Sequence, residues 1–102
     1  MAYTYRLHEQ AHEEYIEAYG WYEEKQKGLG ARFMNSVEKR LRQISEYPEY
    51  YGKRQRSNFR EAKVENFPYM IVYEFFKRKQ MIHIAAIYHN KRNPKGKYRR
   101  LK

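Results

Sequence analysis

The chain has 102 residues, with 22 Lys or Arg against 12 acidic residues, a net charge of +10 and no cysteine. This length suits one domain spanning residues 1–102, and the lack of cysteine excludes a disulfide framework or a thiolate metal site. We find no apolar signal segment and no membrane-spanning stretch, so we expect a cytoplasmic protein without a membrane partner, and nothing suggests a metal or cofactor.

The first three predicted elements are a strand and two helices. The aromatic, partly alternating residues 3–7 predict the strand. Apolar residues at helical spacing predict a helix from about residue 10 to the glycines at 28 and 30, where we expect a left-handed glycine to end it. A second helix, ended by Pro48, is indicated by the spacing of Phe33, Val37, Leu41 and Ile44.

Three strands are predicted after a polar, basic and aromatic loop at residues 48–59. They cover residues 60–64, 69–76 and 81–88, and the last is apolar on both faces, as is typical of a central strand. The element order β-α-α-β-β-β predicts an α+β fold in which a helical hairpin packs on a mainly antiparallel sheet.

Positive charge is concentrated in the second half of the sequence. Residues 51–102 contain 15 Lys or Arg and three Glu, whereas residues 1–50 contain seven Lys or Arg and nine Glu. The last fourteen residues, 89–102, contain seven Lys or Arg and no acid. This asymmetry indicates a polyanion or an acidic partner.

Four segments carry a resemblance to a known family. They are WYEEKQKGLGARF from residue 21, ISEYP from 44, FREAKVENFPYMIVYEF from 59 and IAAIYHNKRNP from 84. Together, in this order, they resemble the RelE/ParE superfamily of bacterial type II toxins, and more closely its ParE-like branch. The resemblance implies a cytoplasmic toxin encoded beside a cognate antitoxin, which is often acidic and wraps the toxin, usually in a heterotetramer.

The superfamily contains two mechanisms, and both remain open at this point. ParE-like members bind a protein target, DNA gyrase, whereas RelE-like members are ribosome-dependent endoribonucleases that cleave mRNA. For the ribonuclease alternative, the resemblance implies catalytic roles for Lys63, Arg92 and Tyr98. His89 is a further candidate as a general base, because imidazole titrates near neutral pH. A structural cap of the strand end is the favoured interpretation of this residue.

Two departures from the ribonuclease pattern favour the ParE-like mechanism. Met70 stands where the ribonucleases have an arginine, and Glu61 stands where a second lysine is common. Loss of a cation and gain of a carboxylate would weaken stabilisation of the phosphorane charge. The sequence therefore predicts a toxin that acts by binding protein.

The expected contacts with antitoxin or target are basic residues of the second half, namely Arg60, Lys91, Arg92, Lys97, Arg99 and Arg100. For Arg60, the structural alternative is a salt bridge to a helix glutamate. Tyr50 and Tyr51 lie in a basic loop and either stack on bases or anchor the loop.

Overall fold

The computed structural model describes residues 2–54 and 56–91. Its elements follow the expected order β-α-α-β-β-β. Their bounds are β1 Thr4–Leu7, α1 Glu9–Lys25, α2 Leu29–Glu46, β2 Phe59–Lys63, β3 Tyr69–Phe76 and β4 Met81–His89. The predicted strands at 60–64 and 81–88 are therefore confirmed with ends that differ by one residue.

The four strands form one sheet in the order β1-β4-β3-β2. β1 pairs parallel with β4, and the other two neighbouring pairs are antiparallel, which confirms the mainly antiparallel sheet. β4 is a central strand, as its apolar sequence predicted. The parallel pair needs a long connection, and α1, α2, β2 and β3 all lie between β1 and β4 in the chain.

The two helices pack as a hairpin against one side of the sheet, which we call the helix side. The four residues that predicted α2 are all 0–1% exposed: Phe33, Val37, Leu41 and Ile44. They join Ile71 and Ile84 in the main core. No helix within residues 2–54 and 56–91 is long and apolar enough to cross a membrane.

The junction between the helices differs from the prediction. α1 ends at Lys25, before either glycine, and left-handed Gly28 (φ +88°) begins α2 instead of closing α1. The Glu23 side chain accepts hydrogen bonds from the backbone N–H groups of Gly28 and Gly30, at 3.0 Å each for the shorter contacts. A carboxylate of the preceding helix thus satisfies the free N–H groups at the start of α2.

A β-bulge interrupts the pairing of β3 with β4. Val72 pairs with Ala86 and Tyr73 with Ile84, so Ala85 has no partner residue on β3. One extra residue reverses the side-chain alternation of the strand beyond it. Residues 82 and 84 face the helix side before the bulge, and residues 87 and 89 face it afterwards.

Candidate functional site

Lys63 lies on the side of the sheet opposite the helices, which we call the outer face. It is the last residue of β2, it is exposed, and it lies in register with Met70 of β3. Met70 in turn pairs with Tyr88 of β4. Strand alternation places Glu61 on the same face as Lys63. The face thus carries Met70 directly beside the candidate lysine.

The centre of the outer face is apolar. Val72 and Ala86 are 0% exposed and Tyr88 is 3% exposed, and Phe59 and Met70 pack against them. This second cluster lies away from the helices and is separate from the main core. Because Val72, Ala86 and Tyr88 are already buried within the chain, the part of this face that a partner can reach is its border of partly exposed and charged side chains.

His89 lies on the helix side, because the bulge reverses the end of β4. Its ring lies 5.2 Å from the Tyr69 ring, centroid to centroid. Its Nδ1 accepts a hydrogen bond of 3.1 Å from the backbone N–H of Lys91. The strand side chains of His89 and Lys63 therefore project to opposite faces, and the contact with Lys91 is what a strand-end cap would make.

A cavity of about 250 Å³ lies between α1 and the end of β4. Its lining combines acidic and aromatic side chains, including Glu17, Trp21 and His89. Glu14 and Ile87 also line the cavity, and Glu14 Oε1 accepts a hydrogen bond of 3.0 Å from the backbone N–H of Ile87. β1 pairs with β4 only as far as residue 84, so this glutamate bonds a backbone group beyond that ladder. Sequence spacing gave no sign of this contact.

Arg60 holds the loop that leads into β2. Its guanidinium donates hydrogen bonds to the backbone carbonyls of Tyr51 and Glu49, at 2.7 and 3.2 Å. These contacts differ from the helix glutamate that the structural alternative invoked. The side chain is half-buried on the helix side, near Tyr73, so much of its donor capacity serves the loop.

Tyr50 and Tyr51 have different environments, which distinguishes the two interpretations of this pair, base stacking and loop anchoring. Tyr51 accepts a 3.0 Å hydrogen bond from Arg40 at its hydroxyl and packs edge-on against Tyr73. Tyr50 is 79% exposed and contacts the Tyr51 ring at 5.1 Å. Tyr51 anchors the loop, and Tyr50 remains available to solvent.

The loop has a further anchor in the core. The Tyr73 hydroxyl donates a 2.7 Å hydrogen bond to the carbonyl of Pro48, and both groups are buried. Burial raises the pKa of this hydroxyl, with the Arg60 charge opposing and Tyr51 reinforcing the effect. The sequence alone did not indicate that Tyr73 anchors the loop. It indicated only that a buried tyrosine hydroxyl generally needs a hydrogen-bond partner.

The remaining candidates lie at or beyond the end of β4. Lys91 is exposed. Five candidates fall outside the described residues: Arg92, Lys97, Tyr98, Arg99 and Arg100. Within residues 2–54 and 56–91, no three His, Asp or Glu side chains come together in a group that could hold a metal ion.

The family assignment rests on a match that covers most of the chain. The model of the family described as the ParE toxin of the type II toxin–antitoxin system parDE matches residues 5–94. The chain belongs to this ParE toxin family. It is the toxin component of a type II toxin–antitoxin system, as the sequence resemblance predicted.

Solved structures of toxins share the ParE-family fold of this chain. A chain of the chromosomal ParDE system from P. aeruginosa has a TM-score of 0.74 at 11% identity, covering 86% of this chain and 96% of that one. A mutant of the E. coli toxin RelE in the free state has a TM-score of 0.69 at 20% identity, with coverages of 92% and 90%. The intact E. coli RelBE toxin–antitoxin complex gives 0.69 at 19% identity, with coverages of 89% and 100%.

At these identities, the likeness establishes the fold and does not choose between the ParE and RelE mechanisms. Among curated proteins, no sequence matches the chain. The choice of mechanism therefore depends on the chain's own residues.

Proposed function

We propose that this toxin is ParE-like, arrests growth by binding a protein target such as DNA gyrase, and is neutralised by a cognate antitoxin. The observation that carries the proposal is the composition of the outer face. On the outer face of β2 and β3, both wholly within the described residues, alternation leaves Lys63 as the sole cation beside Glu61 and Glu74.

Phosphoryl transfer would need a different set of side chains. A ribonuclease must stabilise negative charge that develops on the phosphate oxygens, and clustered cations do this best. Here the residue beside Lys63 is Met70, and the next residue in register with Glu61 is the buried Val72. A single cation beside two carboxylates and a methionine supports contact with a protein surface more than chemistry on a phosphate.

The cognate antitoxin is the second partner that we propose, and charge supports it. The intact E. coli RelBE structure is a toxin–antitoxin complex with this fold. The basic second half of the present chain would attract an acidic partner and speed their encounter. We expect the complex to form in the cytoplasm and to assemble as a heterotetramer.

The alternative is a RelE-like, ribosome-dependent mRNA endoribonuclease. One observation favours it. Lys63 is exposed on the outer face and lies in register with Met70, which is itself in register with Tyr88. Tyr88 directly precedes the basic tail, residues 89–102. Arg92 and Tyr98 of that tail would then complete the catalytic group, with His89 less suited because its strand position faces the helix side.

Induced expression distinguishes the two mechanisms when mRNA and plasmid topology are followed in the same bacterial culture. The proposal predicts growth arrest with intact mRNA and altered supercoiling, together with inhibition of purified gyrase by purified toxin. Codon-specific mRNA cleavage on ribosomes would instead establish the alternative. Arrest with neither change would exclude gyrase and ribosomal mRNA as targets.

Lys63→Ala tests the same choice at one residue. We expect arrest to persist within a few-fold, because a single exposed cation at the edge of a protein interface contributes little. If Lys63 were catalytic, the substitution would lower the rate of mRNA cleavage on the order of a hundredfold or more. Lys39→Ala is the matched control, since it removes an equal charge from α2, where Lys39 forms an exposed ion pair with Glu65.

A further inference from the structure

A concave site lies on the outer face at the hairpin end of β3 and β4. It is an open depression with a volume of about 470 Å³, and it is lined by Arg6, Leu7, Phe76, Lys79, Met81 and His83. Two of these side chains, Arg6 and Lys79, are cationic, and none is acidic. The volume falls within the range of about 300–1,000 Å³ typical of small-molecule sites.

The pairing of three strands brings these residues together. Arg6 of β1 is in parallel register with His83 of β4, so their side chains share a face. Phe76 pairs with Met81 at the ends of β3 and β4, and the turn between them carries Lys79. The site therefore depends on sheet pairing across residues 6 to 83, and sequence spacing alone could not have shown it.

The charges around the site favour an anion. The Lys79 ammonium lies 6.0 Å from the centroid of the Phe76 ring, and the His8 ring lies 5.7 Å from the His83 ring. Glu74 of β3 lies in register with His83 of β4, so this carboxylate adjoins the site without lining it. Arg6 and Lys79 are both exposed, so an incoming anion can reach them.

We propose that this site binds the phosphate of a nucleotide, with the base lying against Phe76 and Met81. Arginine and lysine are the preferred donors to phosphate, and an exposed aromatic ring offers a stacking surface for a base. A carboxylate alone would leave most of the cavity empty. The same chemistry is present in a free nucleotide and in a nucleic-acid strand.

The nucleotide site is distinct from the candidate residue of the ribonuclease alternative. Met70, which adjoins Lys63, is six residues before Phe76 along β3, or about 20 Å at the rise of a strand. The proposal therefore does not depend on which toxin mechanism is correct, and nucleotide binding can be measured with purified toxin in the absence of any target.

The test is titration of the full-length toxin with 5′-AMP, inorganic phosphate and a short single-stranded oligonucleotide, followed by calorimetry or NMR. We expect saturable binding of AMP that Arg6→Ala and Lys79→Ala each weaken about tenfold, since each removes a charge-assisted hydrogen bond. Arg78→Ala is the control, because it removes the same charge from the same turn without lining the site. Thermal unfolding of each variant checks that the fold is retained.

The outcomes separate the possible sources and the failures. If the toxin binds AMP at least as tightly as the oligonucleotide, the ligand is a free nucleotide. If it binds the oligonucleotide much more tightly than AMP, with a steep salt dependence, the ligand is a nucleic-acid strand. Either supports the proposal if Phe76→Ala weakens AMP more than inorganic phosphate. Absence of saturable AMP binding, an equal loss in Arg78→Ala, or equal competition by an acidic peptide would overturn it.

Discussion

At the scale of single residues, the loop before β2 depends on hydrogen bonds that join side chains to its backbone carbonyls. Tyr73 donates to Pro48, and Arg60 donates to Glu49 and Tyr51. Each bond fixes a carbonyl that would otherwise need water. These hydrogen bonds attach the loop to β2 and β3, and Tyr50 is exposed at the surface of the loop.

Tyr73→Phe should lower the free energy of unfolding by about 1–2 kcal/mol, because it leaves the buried carbonyl of Pro48 without its donor. Urea unfolding followed by circular dichroism measures the change. Tyr50→Phe is the matched control: its ring is 79% exposed, and we expect a change within about 0.5 kcal/mol. Equal effects of the two variants would contradict the role of the Tyr73 bond.

The tyrosines also predict how stability depends on pH. Burial raises the pKa of Tyr73, and burial followed by the nearby Glu38 raises the pKa of Tyr15. In the unfolded chain both titrate near pH 10. Their contribution to stability is complete below that pH and is lost as the pH rises through the range between the unfolded and folded pKa values.

We therefore expect the urea midpoint to fall as the pH is raised above about 10, and to fall less steeply in Tyr73→Phe and Tyr15→Phe. Tyr50→Phe should retain the slope of the wild-type protein. A midpoint independent of alkaline pH would show that neither hydroxyl is held in its neutral form by the fold.

At the scale of elements, the helical hairpin contains glycines with opposite consequences. Gly20 in α1 has open space around the position of a Cβ atom. At Gly30 in α2, a Cβ would lie 2.9 Å from the Tyr19 carbonyl and 2.9 Å from Glu23 Oε1. One glycine weakens its helix without a packing reason, and the other permits the two helices to approach.

Gly20→Ala should stabilise the protein by about 0.5–1 kcal/mol, the usual gain at an open helix position. Gly30→Ala should destabilise it by about 1–3 kcal/mol, because the added methyl displaces Glu23 or the helix backbone. Urea midpoints of the two variants form the test. Destabilisation by Gly20→Ala would mean that the outer surface of α1 is more constrained than its contacts indicate.

The elements were largely predictable from sequence because their signals are local. The spacing of Phe33, Val37, Leu41 and Ile44 specified a buried helix face, and all four are in the core. The helix junction was predicted less well, because a glycine between two helices can close one or open the next. Only the tertiary contact of Glu23 with the Gly28 N–H group resolves that ambiguity.

At the scale of the whole molecule, function depends on how the sheet distributes charge. Sequence order showed that the second half is basic, but it did not show that Lys63 and His89 belong to opposite faces or that Arg6 joins the β3–β4 turn. These relations depend on strand pairing across distant segments. Periodicity in a single segment carries no information about them.

Association with the antitoxin should depend strongly on salt if the net charge of +10 steers the encounter. We expect the association rate to fall by more than about tenfold between about 0.05 and 0.5 M NaCl, with a smaller change in the dissociation rate. Stopped-flow mixing with the protein encoded beside this gene measures both. An association rate that ignores salt would mean that the basic half does not guide binding.

The bulge at Ala85 determines which face of the sheet each later residue of β4 occupies. If β4 kept the same residues and paired without the bulge, Ala85 would oppose Val72, His89 would turn to the outer face and Tyr88 would turn toward the helices. A relative whose β4 has the same length but pairs regularly would therefore present a different side chain to its partner even where the neighbouring residues are identical. Among such toxins, the presence of a bulge in β4 would exchange the side chains offered to a target without any substitution.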